Sequence, residues 1–83
     1  MLSCDLHDYL EIACMFNIPV VVTCINGDKY QGIPVTTFIT SEKVECLKLK
    51  LENGDELLSI PLETLESMQA LVSNPHFDLV NFK

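Results

Sequence analysis

Hydrophobic and polar positions divide the chain into one helical stretch followed by a series of strands. Between Asp5 and Asn17 the apolar residues recur with a helical period. At about 100° per residue, Leu6, Tyr9, Leu10, Ala13 and Phe16 share one side, and Asp8, Glu11 and Met15 fall on the other, with Asp5 and His7 at its margins. A helix over 5–17 is predicted, packed through the first set. Asp5 is placed to cap it and Asp8 to occupy the third helical position. Acids this early also suit the positive end of the helix dipole. Pro19, two residues after Asn17, stops the helix.

From Pro19 the period changes to that of strands. Pro19–Ile25 is rich in valine, and Asn26-Gly27 followed by Asp28 reads as a tight hairpin turn, since both Asn and Gly tolerate positive φ. A long second strand runs from Lys29 to about Thr40. Gly32 and Pro34 inside it imply a bend or bulge and a position near a sheet edge. Thr40–Lys43 is a polar turn. Val44–Glu52 alternates: Leu47, Leu49 and Leu51 are assigned inward, Cys46, Lys48, Lys50 and Glu52 outward. Asn53-Gly54-Asp55 repeats the turn signal, and Glu56–Ile60 makes a fourth strand, ended by Pro61. Leu62 to about Leu71 reads as a fifth strand, with a helical reading of 62–70 also open. Asn74-Pro75 opens a tail over 74–83, in which Phe77, Val80 and Phe82 are available to dock.

A helix followed by about five short antiparallel strands, one bent at Gly32, predicts a mainly β fold: a small, curved, Sm-like (SH3-type) five-stranded barrel over 19–71 with the N-terminal α-helix across one end. An OB or SH3-like barrel is the competing reading. All 83 residues fit one domain. The longest uninterrupted apolar run, Ile18–Val22, has five residues, so no membrane span is expected. No basic start with a long apolar run behind it suggests a secretory signal, and a cytoplasmic location is expected.

Charge narrows the partners. Twelve acidic residues face five lysines, with no arginine, for a net charge of −7. Nucleic-acid binders draw affinity from neutralising phosphates, and arginine is the side chain best suited to phosphates and base edges. Direct RNA or DNA binding is therefore disfavoured, and a basic protein partner is favoured. Lys48 and Lys50 are the one basic pair on a strand face, and an Sm-like RNA-binding module using them is the alternative function.

Catalytic and metal chemistry find little support. Cys4, Cys14, Cys24 and Cys46 contain no C-x-x-C pair, so zinc spacing is missing. Cys4 and Cys14 on one helix would stand roughly 15 Å apart, too far for a disulfide. Reduced thiols are expected. His7 and Glu11 share a helix face at i, i+4 but lack a third ligand. No glycine-rich phosphate loop is present, and His7 and His76 lie near opposite ends of the chain. Neither enzymatic activity nor a cofactor is expected.

The N-terminal block carries the most specific pattern. Cys4, Asp5, Asp8, Leu10, Glu11, Ile12, Ala13 and Cys14 meet the arrangement C-D-x-x-D-x-L-E-[LI]-A-C, which resembles the start of the Rof (YaeO) family, bacterial Rho-binding antiterminators. Gly27-Asp28-Lys29, Gln31, the strand start Val44-Glu45 and the tail Asn74-Pro75-His76-Phe77-Asp78 to Phe82 are also similar. The resemblance implies an Sm-like fold and a transcription antiterminator. Its partner would be the termination factor Rho, bound at the N-terminal OB-type domain that grips single-stranded RNA. By the same resemblance Asp8 is the first contact residue and Glu11 follows on the same face. Asp5 caps the helix or reaches the partner, and His7 and Tyr9 flank Asp8. Glu42 and Lys43 come from the loop Thr40-Ser41-Glu42-Lys43, which the family also uses. Carboxylates would stand where RNA phosphates lie, with the protein acting as a monomer.

Overall fold

The computed structural model describes residues 4–52, 54 and 56–82, with Cys4 described by its backbone alone. Its first element is the helix α1, Cys4–Met15. Asp5 therefore lies inside the first turn, not at the cap expected of it, and the capping position precedes the described residues. The helix also ends two residues before the expected Asn17. The Ile18 N–H donates to the Ala13 carbonyl at 3.0 Å and the Asn17 N–H to the Cys14 carbonyl at 3.4 Å, while Asn17 takes φ 50°. This is a Schellman ending with Asn in the left-handed position usually held by Gly, and with Ala13 and Ile18 buried against it. Leu10 and Ala13 are fully buried and Leu6 and Tyr9 half-buried, as the period predicts. Phe16 is the exception: expected on the core side, it is 54% exposed, because the chain has already left the helix there.

Six antiparallel strands follow: β1 Val20–Cys24, β2 Lys29–Ile39, β3 Glu45–Leu51, β4 Leu57–Pro61, β5 Leu65–Ala70 and β6 Leu79–Asn81. They form one sheet in the order β4-β3-β2-β1-β5-β6. The mainly β architecture with an N-terminal helix is as predicted. The sheet, however, stays open: β4 and β6 are its two ends and do not pair, so the five-stranded closed barrel is corrected to an open six-stranded sheet. The sixth strand comes from the tail. Leu62 to Ala70 divides into a single 3₁₀ turn, Leu62–Thr64, and β5, which settles that segment as strand.

Local chemistry explains the connections. Between β1 and β2 the Gly27 N–H donates to the Cys24 carbonyl at 2.9 Å and the Cys24 N–H to the Asp28 carbonyl at 2.8 Å. Only Gly27 has positive φ (93°), so this is a three-residue loop with a left-handed glycine, not the two-residue turn expected at Asn26-Gly27. Asn26 instead accepts the Asp28 N–H on its side-chain oxygen at 3.0 Å. The second Asn-Gly-Asp turn lies largely outside the described residues, at Asn53 and Asp55.

β2 is an interior strand, not the near-edge one expected from Gly32 and Pro34. Its bend is real: the register with β3 shifts between Pro34 and Thr36. Pro34 is tolerated because the β1 ladder stops at Gly32, so the missing N–H breaks no bond there. Gly32 is needed for another reason. A Cβ at this position would sit 2.2 Å from the Lys50 carbonyl oxygen across the β2–β3 ladder.

The core gathers Leu10, Ala13, Ile18, Val20, Val22, Leu47, Leu49, Ile60, Leu62, Leu65, Met68, Val80 and Phe82, so the helix and the tail close over the same sheet face. Cys46, expected outward with Lys48 and Lys50, is buried as well. Phe38 on β2 and Pro61 on β4 flank it, and its thiol lies 3.8 Å from the Val44 carbonyl.

Candidate functional site

The solvent side of α1 is the place where the anticipated contact residues meet. Asp5, Asp8 and Glu11 are all exposed on it. Spacings of three residues stack their side chains along one face, because the opposite face is committed to Leu10 and Ala13 in the core. Asp5 and Asp8 have no ion pair or hydrogen bond from their side chains among the described residues, so both carboxylates are available to a partner.

His7 joins this face to the sheet. Its Nδ1 lies 3.4 Å from Glu11 Oε1, one turn along the helix, and its Nε2 lies 4.0 Å from Glu45 Oε2 at the start of β3. The ring is half-buried between two carboxylates. It stands between the helix face and the start of β3. Glu45 was not anticipated as a site residue. It lies far from α1 in sequence, and only the packing of α1 on the sheet brings it to His7.

Tyr9 does not join the acidic face. It is half-buried and its ring meets Phe77 edge to face, with centroids 6.2 Å apart and an interplanar angle of 72°. It therefore ties α1 to the tail.

The β2–β3 loop supplies Glu42 and Lys43, both exposed and with no side-chain partner among the described residues. The loop repeats the three-residue form of the first hairpin. The Thr40 N–H donates to the Val44 carbonyl at 2.9 Å, the Lys43 N–H to the Thr40 carbonyl at 2.9 Å, and the Val44 N–H to Thr40 Oγ1 at 3.1 Å. Lys43 takes the left-handed position, with φ 64°, where the first loop has Gly27. Glu45, two residues on, is the residue that reaches His7, so this loop leads directly into the acidic face.

The remaining charges lie elsewhere. Lys48 is half-buried and its Nζ sits 5.2 Å from the Phe38 ring centroid. Lys50 is exposed on the same strand. Gln31 bonds Glu52 between β2 and the end of β3.

Cys14, Cys24 and Cys46 are free thiols. Burial, reinforced by the neighbouring Glu11 charge, pushes the Cys14 thiol up to about 11. Burial also raises Cys24, aided by Asp28 and opposed by the Thr64 side chain. Both shifts disfavour the thiolate, the reactive form of the side chain. Among the described residues no three His, Cys, Asp or Glu side chains converge on a metal position, and no helix is long and apolar enough to cross a membrane.

Comparison with known proteins identifies the fold and the family. YaeO of Vibrio cholerae O395, solved bound to magnesium, superposes with a TM-score of 0.84 at 39% identity, covering 92% of this chain and 96% of that one. No curated protein matches at a significant level. The family described as "Modulator of Rho-dependent transcription termination (ROF)" matches residues 1–82. The specific N-terminal block lies on α1, the helix that also carries the exposed carboxylates, and with the match spanning nearly every residue, the chain belongs to the Rof family of modulators of Rho-dependent transcription termination.

Proposed function

We propose that this protein inhibits Rho-dependent termination by binding Rho directly and covering the RNA-binding site of its N-terminal, OB-type domain. The acidic face of α1 makes the central contact. The observation that carries the proposal is the pair Asp8 and Glu11, exposed side by side on a helix without a single lysine, in a chain of net charge −7 without arginine. A single-stranded RNA site is a basic groove with stacking platforms. Carboxylates held on a rigid helix can occupy that groove as phosphates do, through charge-assisted hydrogen bonds. Glu45 and the β2–β3 loop, with Glu42 and Lys43, extend the contact, and Asp5 lies at its N-terminal margin. His7 acts through Glu11 and Glu45 and is a positioning residue. Tyr9 supports the helix from the tail side. The site of action is the cytoplasm, where Rho meets its transcripts.

A competition experiment tests this. Rho is loaded with a labelled cytosine-rich RNA and the protein is titrated in. Release of RNA is expected. Asp8→Ala is expected to bind about tenfold to a hundredfold more weakly, the loss of one charge-assisted hydrogen bond, and Asp8→Lys, which also sets a like charge against a basic groove, is expected to abolish binding while keeping its fold. Full binding by a folded Asp8→Lys protein would falsify the helix-face reading. Binding to Rho without RNA release would place the contact outside the RNA site. Tight binding of the protein alone to the RNA would favour the basic strand face instead.

A further inference from the structure

α1 shows more than carboxylates to solvent. Met15, its last residue, stands one turn beyond Glu11, about 6 Å along the helix axis. It shares the side of the helix that carries Asp8 and Glu11, and it is 71% exposed. On the sheet, Ile39 ends β2 directly opposite Glu45, the first residue of β3. Cross-strand partners leave the same face of a sheet. Ile39, 64% exposed, therefore stands beside the carboxylate that lies 4.0 Å from His7.

Among the described residues these two are the most exposed of the large hydrophobic side chains. The core does not use them: α1 enters it through Leu10 and Ala13, and β3 through Leu47 and Leu49. One exposed apolar residue alone is ordinary. These two are not scattered. Each adjoins one of the two carboxylates, Glu11 and Glu45, that His7 stands between. The acidic face thus has an apolar residue at the end of the helix and another on the sheet beside it.

We infer that Met15 and Ile39 are the apolar anchors of the Rho contact, seated on the aromatic side chains that receive RNA bases. The inference rests on the reading of the acidic face as an occupant of that RNA site. A single strand offers such a site two things, phosphates for the basic groove and bases for the stacking platforms. Carboxylates replace only the first. The Met15 thioether packs favourably on aromatic rings, and Ile39 adds apolar area for a ring to cover. Charge alone draws an acidic helix toward any basic surface. Apolar anchors beside the carboxylates select a basic surface that also presents aromatic faces.

Methyl NMR on the unaltered chain, labelled at the methionine and isoleucine methyl groups, reads the anchors without any variant. On adding Rho, the Met15 and Ile39 methyl resonances are expected to move upfield, as ring currents shift protons held over an aromatic face. Cytosine-rich RNA in excess is expected to return them to their free positions. Met15→Ser and Ile39→Thr are each expected to weaken Rho binding about threefold to tenfold. That factor is expected to be similar at about 0.1 M and about 1 M salt, whereas the effect of Asp8→Ala shrinks as salt rises. Met15→Leu is expected to bind as the unaltered chain does. So is Ile25→Thr, at an exposed position in the β1–β2 loop, the other end of β2 from Ile39. RNA release by the unaltered chain with both methyl resonances unmoved overturns this inference and leaves the acidic-face reading standing. Full binding by a folded protein carrying Met15→Ser and Ile39→Thr together does the same. An equal loss in Ile25→Thr also overturns it, since any exposed apolar residue would then serve. Absence of RNA release by the unaltered chain overturns both readings.

Discussion

Two backbone positions show how single residues constrain this chain. Gly32 is required because the β3 backbone passes where its Cβ would be, 2.2 Å from the Lys50 carbonyl oxygen. Neither partner is a flexible side chain, so the ladder itself would have to part. Gly32→Ala is expected to destabilise the protein by about 1–3 kcal/mol, as overpacking does, although glycine in a strand is entropically unfavourable. A lowered urea midpoint at unchanged slope would show it, and an unchanged midpoint would mean the two strands part freely. Lys43 presents the opposite case. Its left-handed backbone penalises any side chain with a Cβ by about 1–2 kcal/mol, and glycine would lose roughly 0.5–1 kcal/mol of that gain to unfolded-state entropy. Lys43→Gly is thus expected to raise stability by about 0.5–1 kcal/mol, read as a higher midpoint. If Lys43 also touches Rho, the same variant binds more weakly while folding better, which separates the two roles.

At the scale of elements, regular alternation and period were the legible part. The buried set Leu47 and Leu49 on β3 and Leu10 and Ala13 on α1 follows directly from spacing. So does the Asn26-Gly27 hairpin, although the loop type depended on which residue took positive φ, and spacing cannot show that. Phe16 was misplaced because helical period says nothing about where a helix stops, and Asn17 ends α1 by a left-handed turn. Cys46 was misplaced because alternation assigns faces but not what covers them. Sheet closure was not legible for a similar reason. It depends on whether β4 and β6 meet, a long-range fact that no local pattern carries. The residues of the candidate site divide in the same way. Asp5, Asp8 and Glu11 could be read from the helix, whereas Glu45 became visible only once α1 was packed on the sheet. The helix also makes a pH prediction. Cys14 stays protonated in the folded protein up to about pH 11 against a reference near 9.0. The stability it contributes is therefore present below pH 9 and is lost as pH rises from 9 toward 11. Cys24 and Tyr30, the latter raised chiefly by Asp28, push in the same direction. Urea midpoints are expected to fall across that window, and to fall less in Cys14→Ser; equal falls would assign the effect to other groups.

At the scale of the whole molecule, α1 is an element that carries acids without any lysine. Asp5, Asp8 and Glu11 lie on α1, and the described lysines lie on strands and their loops, at Lys29, Lys43, Lys48 and Lys50. In a chain of net charge −7, the exposed side of the helix is a negative face with no lysine or arginine on it. A basic groove on Rho would attract that face before any contact forms, which speeds association more than it slows dissociation. Salt shortens the reach of such attraction from about 10 Å at 0.1 M to about 3 Å at 1 M. Rho binding is therefore expected to weaken across that range, with the association rate falling more than the dissociation rate rises. Neutralising the face with Asp8→Asn and Glu11→Gln is expected to flatten the salt dependence, while Glu63→Gln, an exposed acid beyond β4, leaves it unchanged. Stopped-flow binding at both salt concentrations measures each rate. An affinity indifferent to salt would show that shape and apolar contact hold the complex together, and that the acidic helix is only a soluble face.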